Sequence, residues 1–261
     1  MLTYPAMVPG LAPAHVRHVA GLIRRHRAGI GSRWRRLPAG RQALLVLVHL
    51  RCGDPYAHLS VSFGVGAATA YRYITETIDL LAASTPRLQP VLAARTGCEV
   101  TILDGTIITS YRVRWTSRHK QWYCARKKTY GVNLQALTDE HGNLLWISTT
   151  LPGGVHDLTA ARHHEIIATA AEHEVHLWAD KACIGEAPTV LTPVKGKDLP
   201  YPLRHWNRRH AQRRARGERG FATLKTWQIL HRVRGDLDQA GVIAQAILAL
   251  HQATSTPIRM K

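Results

Sequence analysis

Three acids are set apart by their surroundings. Asp104 ends the apolar run of ILDGT, Asp180 ends the apolar run of VHLWAD, and Glu218 stands alone in NRRHAQRRARGER, thirteen residues from Asn207 that hold six arginines. Carboxylates are the ligands of hard divalent cations, which take oxygen donors and keep several waters. A site of that kind among arginines suits a substrate that brings its own phosphate. Singly, each acid has a plainer reading: Asp104 and Asp180 as turn or cap residues, Glu218 as a charge partner for its arginines. They could act together only if the fold brings three positions distant in sequence to one place.

The elements that would do so lie after Pro90, where short runs rich in Val, Ile, Thr and aromatics replace helical spacing. CEVTILDGTIITSY predicts a strand around Val100 to Ile108, KTYGVNLQALTD a second, and NLLWISTTLPG a third, with DEHGN as the hairpin turn before it. Short links make these three antiparallel. HDLTAARHHEIIATAAEHE predicts a helix, with Asp157 as its N-terminal cap after the Pro-Gly-Gly turn. VHLWADKAC predicts a fourth strand, PTVLTPVKG a fifth, and the basic stretch as far as Trp227 a helix. A closing amphipathic helix is expected from Gly235 to His251. This order is that of an α/β ribonuclease-H-like domain, a mixed sheet with flanking helices. There the first and fourth strands are neighbours and the last helix crosses near their ends, so Asp104, Asp180 and Glu218 would converge.

Ahead of the STPRLQP break at Ser84 to Pro90, the spacing is helical in GRQALLVLVHLRCG and in AATAYRYITETIDLLAA. Between them Asp54 and Pro55 suit a helix start, and Gly64 to Gly66 a tight turn. The pattern is an all-α helix-turn-helix whose second helix opens at Ala67 and displays Thr69, Tyr71, Arg72 and Thr75 to a DNA groove or its phosphate rim. Two domains are therefore expected: residues 1–88 for DNA binding and 89–261 for chemistry.

The formal net charge is +18, and its distribution is informative. Residues 1–53 hold nine arginines and no acid, and residues 195–234 hold twelve Lys or Arg against Asp198 and Glu218, so the middle of the chain is close to neutral. Two basic regions flanking a neutral one fit a chain that grips double-stranded DNA twice, with Arg208, Arg209, Arg213, Arg214 and Lys225 on phosphates. Trp115, Trp122 and Tyr123, set among Arg112, Arg114, Arg118, His119, Lys120, Arg126, Lys127 and Lys128, could stack on unpaired bases or pack their own hairpin. Four scattered cysteines without a C-x-x-C pair suggest neither a zinc ribbon nor a disulfide framework. No apolar run is long enough to span a bilayer, so a cytoplasmic, nucleoid-associated protein is expected.

ILDGT, PGGVHDLTAAR, LWADKACIG and NRRHAQRRARGERGFATLKTW, in that order, resemble the motif blocks of DDE-type transposases of bacterial insertion sequences, in the branch allied to the class numbered five. The resemblance runs from about Arg33 to His251. It implies that Asp104, Asp180 and Glu218 are a metal-binding triad for Mg²⁺, with Mn²⁺ able to substitute. It also implies DNA strand cleavage and strand transfer, and a homodimer or larger assembly pairing two element ends. Asp104 would bridge two ions, Asp180 hold one and Glu218 the other. The chain departs from the family after the Asp180-Lys181 pair, where Ala182 and Cys183 replace glycine and an aromatic. The alternative is a non-catalytic DNA-binding regulator, or a domesticated or decayed transposase.

Overall fold

The computed structural model of the chain describes residues 8, 10–32, 34–98, 100–110, 119–186, 188–233 and 236–254. They divide into two compact units. One contains residues up to Thr85 together with Thr226–His231 and the chain from Val242; the other contains Pro86–Lys225 and Arg232–Gly241.

The first unit is helical, with α1 (Pro13–Gly29), α2 (Ala39–Cys52), α3 (Tyr56–Phe63) and α4 (Ala67–Ala82). Leu45, Val46, Leu47, Val48 and Leu50 follow one another around α2 and are all fully buried. A helix that is apolar all round must be covered on every side, and α1, α3, α4 and the turn at Gln228–Leu230 pack around this one. In α4 only Ala70, Tyr73, Ile74, Thr77, Ile78 and Leu81 turn inward, the stripe of a helix lying on a core. Buried Gln42 on α2 ties the two helices together, donating to Glu76 Oε2 at 3.1 Å and Thr77 Oγ1 at 2.9 Å. The α3–α4 turn falls at Gly64, whose φ of +67° costs a residue without a Cβ little. Later chain joins this unit. Trp227 Nε1 donates to His251 Nε2 at 3.1 Å, and Thr85 Oγ1 donates to the Gln245 carbonyl at 2.8 Å.

The second unit opens with α5 (Leu88–Ala93) and then builds a mixed sheet. Its strands are β1 (Thr101–Thr109), β2 (Tyr123–Cys124), β3 (Thr129–Asp139), β4 (Leu144–Ile147), β5 (Leu151–Pro152), β6 (Leu177–Trp178) and β7 (Val190–Leu191). The strand order is β2-β3-β1-β6-β7, with β4 and β5 also pairing to β3. Strands β1 and β3 are antiparallel from Thr101↔Asp139 to Thr109↔Gly131, whereas β1–β6 and β6–β7 are parallel. The turn before β4 is fixed by Asp139, whose Oδ1 accepts from the backbone N–H groups of His141 and Asn143 at 2.9 and 2.8 Å.

Helices cover both faces. On one, α6 (Asp157–His163) and α7 (Ile166–Glu172) bury Ala161, Ile166 and Ala170 against Leu103, Leu137 and Leu177. On the other runs α8 (Tyr201–Lys225), which turns His210, Gly217, Gly220, Phe221 and Leu224 inward. Its approach to the sheet is close, since a Cβ on Gly217 would lie 2.8 Å from Ile102 Cγ2 and one on Gly220 2.7 Å from Thr138 Cγ2. The last helix, α9 (Gln239–Thr254), returns the chain to the first unit.

Three expectations need correction. The third strand is broken into β4 and β5: just past Ile147, Ser148 turns its side chain back to accept from the Gln135 N–H at 2.9 Å, and pairing to β3 resumes only at Leu151. The single helix from Asp157 is two, separated where Glu165 takes a left-handed φ of +57° so that Ile166 and Ile167 reach the core. Asp157 is not the cap of α6: His156 is, accepting from the Leu158 N–H at 3.4 Å, and Asp157 is the first helical residue with a buried carboxylate.

Candidate active site

Ile102 on β1 and Trp178 on β6 are register partners in the parallel pair. Both lie on the sheet face that α8 covers, Ile102 beneath Gly217 and Trp178 beneath Arg213. Side chains alternate along an extended chain, so two residues further on the same face is met again. Two residues beyond Ile102 is Asp104, and two beyond Trp178 is Asp180. Asp180 stays extended, at φ −76° and ψ −179°, before the 3₁₀ turn Lys181–Cys183 that it caps by accepting from the Ala182 N–H at 2.8 Å. Neighbouring strands run about 4.8 Å apart, which sets the two carboxylates side by side beneath α8.

The charge balance there is uneven. Burial, above all, raises the Asp104 carboxyl above its ordinary range; Arg214 opposes the shift, and the negative charges of Asp180 and Asp157 add to it. Arg214 comes from α8 and places Nη2 at 3.4 Å from Asp104 Oδ1, with both side chains about a quarter exposed. Cys183 is buried in the core that α6 and α7 cover, close enough to feel these charges. Burial first, and then the charges of Asp180 and Asp157, push its thiol up to about 12, so it stays protonated and takes no part as a thiolate.

Asp157 lies behind this pair, on the other face of the sheet. A Cβ added to Gly105 would come within 2.6 Å of Asp157 Oδ1, so the space that Gly105 leaves is filled by this carboxylate. Asn133 Nδ2 donates to Oδ1 at 2.9 Å, Gln135 Nε2 donates to the same oxygen at 3.4 Å, and Arg126 Nη2 donates to Oδ2 at 3.1 Å. None of these three residues was singled out for this role from the sequence. A signal existed, however: Asn133 and Gln135 are two polar residues at strand spacing inside the apolar run VNLQAL.

Glu218 is placed differently from the two aspartates. It is exposed on α8, four residues and thus about one turn beyond Arg214, on the same flank of the helix. It is Arg214 that turns in. Among the described residues, no three His, Cys, Asp or Glu side chains are gathered into a group able to hold a metal ion. The structure thus pairs Asp104 with Asp180 and leaves Glu218 outside that pair.

The residues expected to meet DNA lie at the surface of their own units. In α4, Tyr71 and Arg72 are exposed and Thr69 and Thr75 half-buried. Tyr71 packs edge-on against Tyr56 at 5.3 Å, and Arg72 donates to the Ala68 carbonyl at 3.3 Å and to Thr69 Oγ1 at 3.4 Å. On α8, Arg208, Arg209 and Lys225 are exposed, Arg213 lies over the Trp178 ring at 4.5 Å, and Arg214 faces Asp104. Of the aromatic and basic residues between the first two strands, Trp115, Arg112, Arg114 and Arg118 lie outside the described residues. Tyr123 packs on its own hairpin, 5.1 Å from the Tyr130 ring. No described helix is long and apolar enough to cross a membrane.

Residues 103–252 match the DDE superfamily endonuclease family, and residues 35–87 match the helix-turn-helix of DDE superfamily endonucleases. The chain is 30% identical over 237 residues, 87% of its own length and 86% of the relative's, to a Streptomyces albus G protein described as "Putative transposase for insertion sequence element IS112". No solved structure matches it significantly. The α2–α4 helices and the acid-bearing sheet are thus the two parts of one family's architecture, and the chain belongs to the DDE-type transposases with an N-terminal helix-turn-helix.

Proposed function

We propose that this protein binds the ends of an insertion sequence and cuts and joins DNA strands at a divalent-metal site built on Asp104, Asp180 and Glu218. The observation that carries the reading is the Ile102↔Trp178 register, from which Asp104 on β1 and Asp180, two residues past the end of β6, continue on the face covered by a helix rich in arginine. The donor set fits a hard cation. Two carboxylates lie together, Asp104 with its proton affinity raised above all by burial and also by the charge of Asp180, and Arg214 from α8 faces Asp104. Mg²⁺, or Mn²⁺ in its place, would be held by Asp104 and Asp180, with the exposed Glu218 side chain brought in from the same flank of α8. When bound it supplies charge stabilisation to the attacking and leaving oxygens of an in-line displacement.

The chain's own residues do the rest. Arg208, Arg209, Arg213, Arg214 and Lys225 hold DNA backbone along α8, with Arg214 the one beside the acids, and Thr69, Tyr71, Arg72 and Thr75 on α4 read or grip the element end. In cleavage, a water oxygen forms a bond to phosphorus, the P–O3′ bond breaks, and the departing 3′ oxygen takes a proton. In joining, that 3′ oxygen attacks a phosphodiester of a second duplex, whose own 3′ oxygen leaves with the proton the attacker gives up. This reading assigns DNA binding to residues 1–88 and chemistry to 89–261, on a ribonuclease-H-like sheet. It is supported by a strand order in which β1 is flanked by antiparallel β3 and parallel β6.

The test is a labelled fragment carrying the element's terminal repeats, incubated with wild type, Asp104→Asn or Glu218→Gln, with and without Mg²⁺. Glutamine keeps the size of Glu218 and removes its charge, so end binding should persist while nicking falls at least a hundredfold. Nicking by Glu218→Gln at close to the wild-type rate removes Glu218 from the site. Nicking by Asp104→Asn removes the site itself.

A further inference from the structure

The flank of α8 that faces away from Glu218 borders a cavity of about 500 Å³ lined by Cys98, Val100, Glu140, Arg209, Gln212, Arg213 and Arg216. Arg209, Gln212, Arg213 and Arg216 stand at i, i+3, i+4 and i+7, so they form one stripe. At about 100° per residue, Arg209 and Glu218 point to opposite sides of the helix. The stripe is built rather than incidental. Arg213 lies on the face of Trp178 at 4.5 Å, and Arg216 Nη1 donates to the Glu140 carbonyl at 3.4 Å.

The acid of this cavity is already matched. Glu140 Oε2 accepts from Arg95 Nη2 at 2.8 Å, and the same Arg95 nitrogen donates to the Val100 carbonyl at 2.6 Å. Three guanidinium groups therefore line one concavity whose carboxylate has its own cation, and a positive concavity of this kind attracts an anion. From Arg209 to Arg216 the stripe spans about 10 Å along the helix axis, the reach of several consecutive phosphates of one strand rather than of a single one. Its position opposite the Arg214 and Glu218 flank separates it from the strand being cut.

We propose that this stripe is a second DNA-backbone site, which holds the phosphates of the duplex that receives the cut end. The proposal rests on the cutting and joining reading above. The experiment uses the full chain as wild type, Arg216→Gln, Arg216→Glu and Arg216→Lys, with equal folding checked by thermal melt. Two things are read: the salt dependence of binding to a duplex lacking element ends, and the ratio of joining to nicking with a pre-bound end fragment and a second duplex. One phosphate contact contributes about 0.9 to the slope of log K against log salt, so Arg216→Gln should lower the slope by about that amount, Arg216→Glu by more, and Arg216→Lys hardly at all. The joining-to-nicking ratio should fall fivefold or more for Gln and Glu and hold for Lys. An unchanged slope, or nicking that falls in step with joining, overturns the second site. A wild-type chain that neither nicks nor joins sinks the catalytic reading instead, and the salt slopes then decide alone whether the stripe binds DNA.

Discussion

Arg214 on α8 and Asp104 on β1 meet across the face of the sheet, Nη2 to Oδ1 at 3.4 Å. The guanidinium is the cation that opposes the rise in Asp104's proton affinity caused by burial and by the nearby aspartates. Arg214 thereby supplies positive charge beside two neighbouring carboxylates.

Replacing Arg214 by glutamine removes that charge and leaves Asp104 and Asp180 crowded. A partly buried charged partner of this kind is worth about 1 to 3 kcal/mol, so the metal-free variant should melt several degrees lower than wild type. Mg²⁺ should then raise its melting temperature more than it raises that of wild type, because the ion meets uncompensated carboxylates. Melts in chelator and in Mg²⁺ check this, and equal metal-induced shifts in the two proteins would contradict it.

Gly217 is where α8 comes closest to β1. An added Cβ would sit 2.8 Å from Ile102 Cγ2 and 3.0 Å from Thr138 Oγ1, both on a paired part of the sheet that cannot give way easily. Gly217→Ala should lift the helix, with an overpacking cost of about 1 to 3 kcal/mol. The neighbouring Ala215→Gly, at an exposed position, should cost about 1 kcal/mol at most through helix propensity. Urea unfolding of the two variants distinguishes a steric effect from a general one.

Asp157 holds its neighbours through oxygen acceptors alone: Asn133 and Gln135 donate to Oδ1 and Arg126 to Oδ2. In Asp157→Asn one of those oxygens becomes an amide donor, which must face either two amide donors or a guanidinium. A loss of about 1 to 3 kcal/mol is expected from the buried donors left unpaired. Because Gly105 packs on this carboxylate, nicking should fall together with stability. Chemical denaturation of the variant at the wild-type midpoint would remove Asp157 from the support of β1.

Arg72 is exposed on α4 and bonded only within its own turn, to Ala68 and Thr69, among the contacts described for it. Its replacement by alanine should leave the melting temperature within about 1 °C, since surface changes away from packing cost little. Binding to terminal repeats should weaken about tenfold, the loss of roughly one good contact. Unchanged affinity for the repeats would place the reading surface elsewhere.

The sequence made some of this legible for physical reasons that can be named. Gly64 to Gly66 punctuates two apolar helical stripes, and α4 starts at Ala67 as that punctuation requires. The β-branched runs of β1 and β3 and the Asp139 turn were readable because the chemistry is local. The break at Glu165 was not readable: a left-handed glutamate carries no glycine or asparagine to mark it, and tertiary packing of Ile166 and Ile167 imposes it. Nor was the role of Asp157, whose partners sit on β3 and at Arg126, more than twenty residues away in sequence. Phe221 and Leu224 are apolar residues one helical turn apart that α8 buries, but helical spacing alone does not say that Arg214 rather than Glu218 turns toward Asp104.

His164 gives the fold a pH dependence with a definite sign. Its Nε2 is buried without a hydrogen-bond partner, its ring lies 5.2 Å from that of His163, and it stands between α6 and α7 near Trp146. Burial first, and the charge of His163 second, lower its pKa from 6.5 to about 4. Below pH 6.5 the unfolded chain takes up a proton that the folded chain refuses until about pH 4, so the unfolded state binds more protons across this window and stability falls as pH falls. Above pH 6.5 both states are neutral and His164 contributes no slope. His18, His49, His210 and His251 are shifted in the same direction by burial, so the wild-type melting temperature should decline on acidification through several groups at once. His164→Gln, which cannot take the proton, should flatten part of that decline between pH 6.5 and pH 4.5 while leaving the curve above pH 7 parallel to wild type. Melting temperatures measured every half unit from pH 8 to pH 4.5 decide it: curves that stay parallel throughout the acid range would show that His164 is protonated as readily in the folded chain as in the unfolded one.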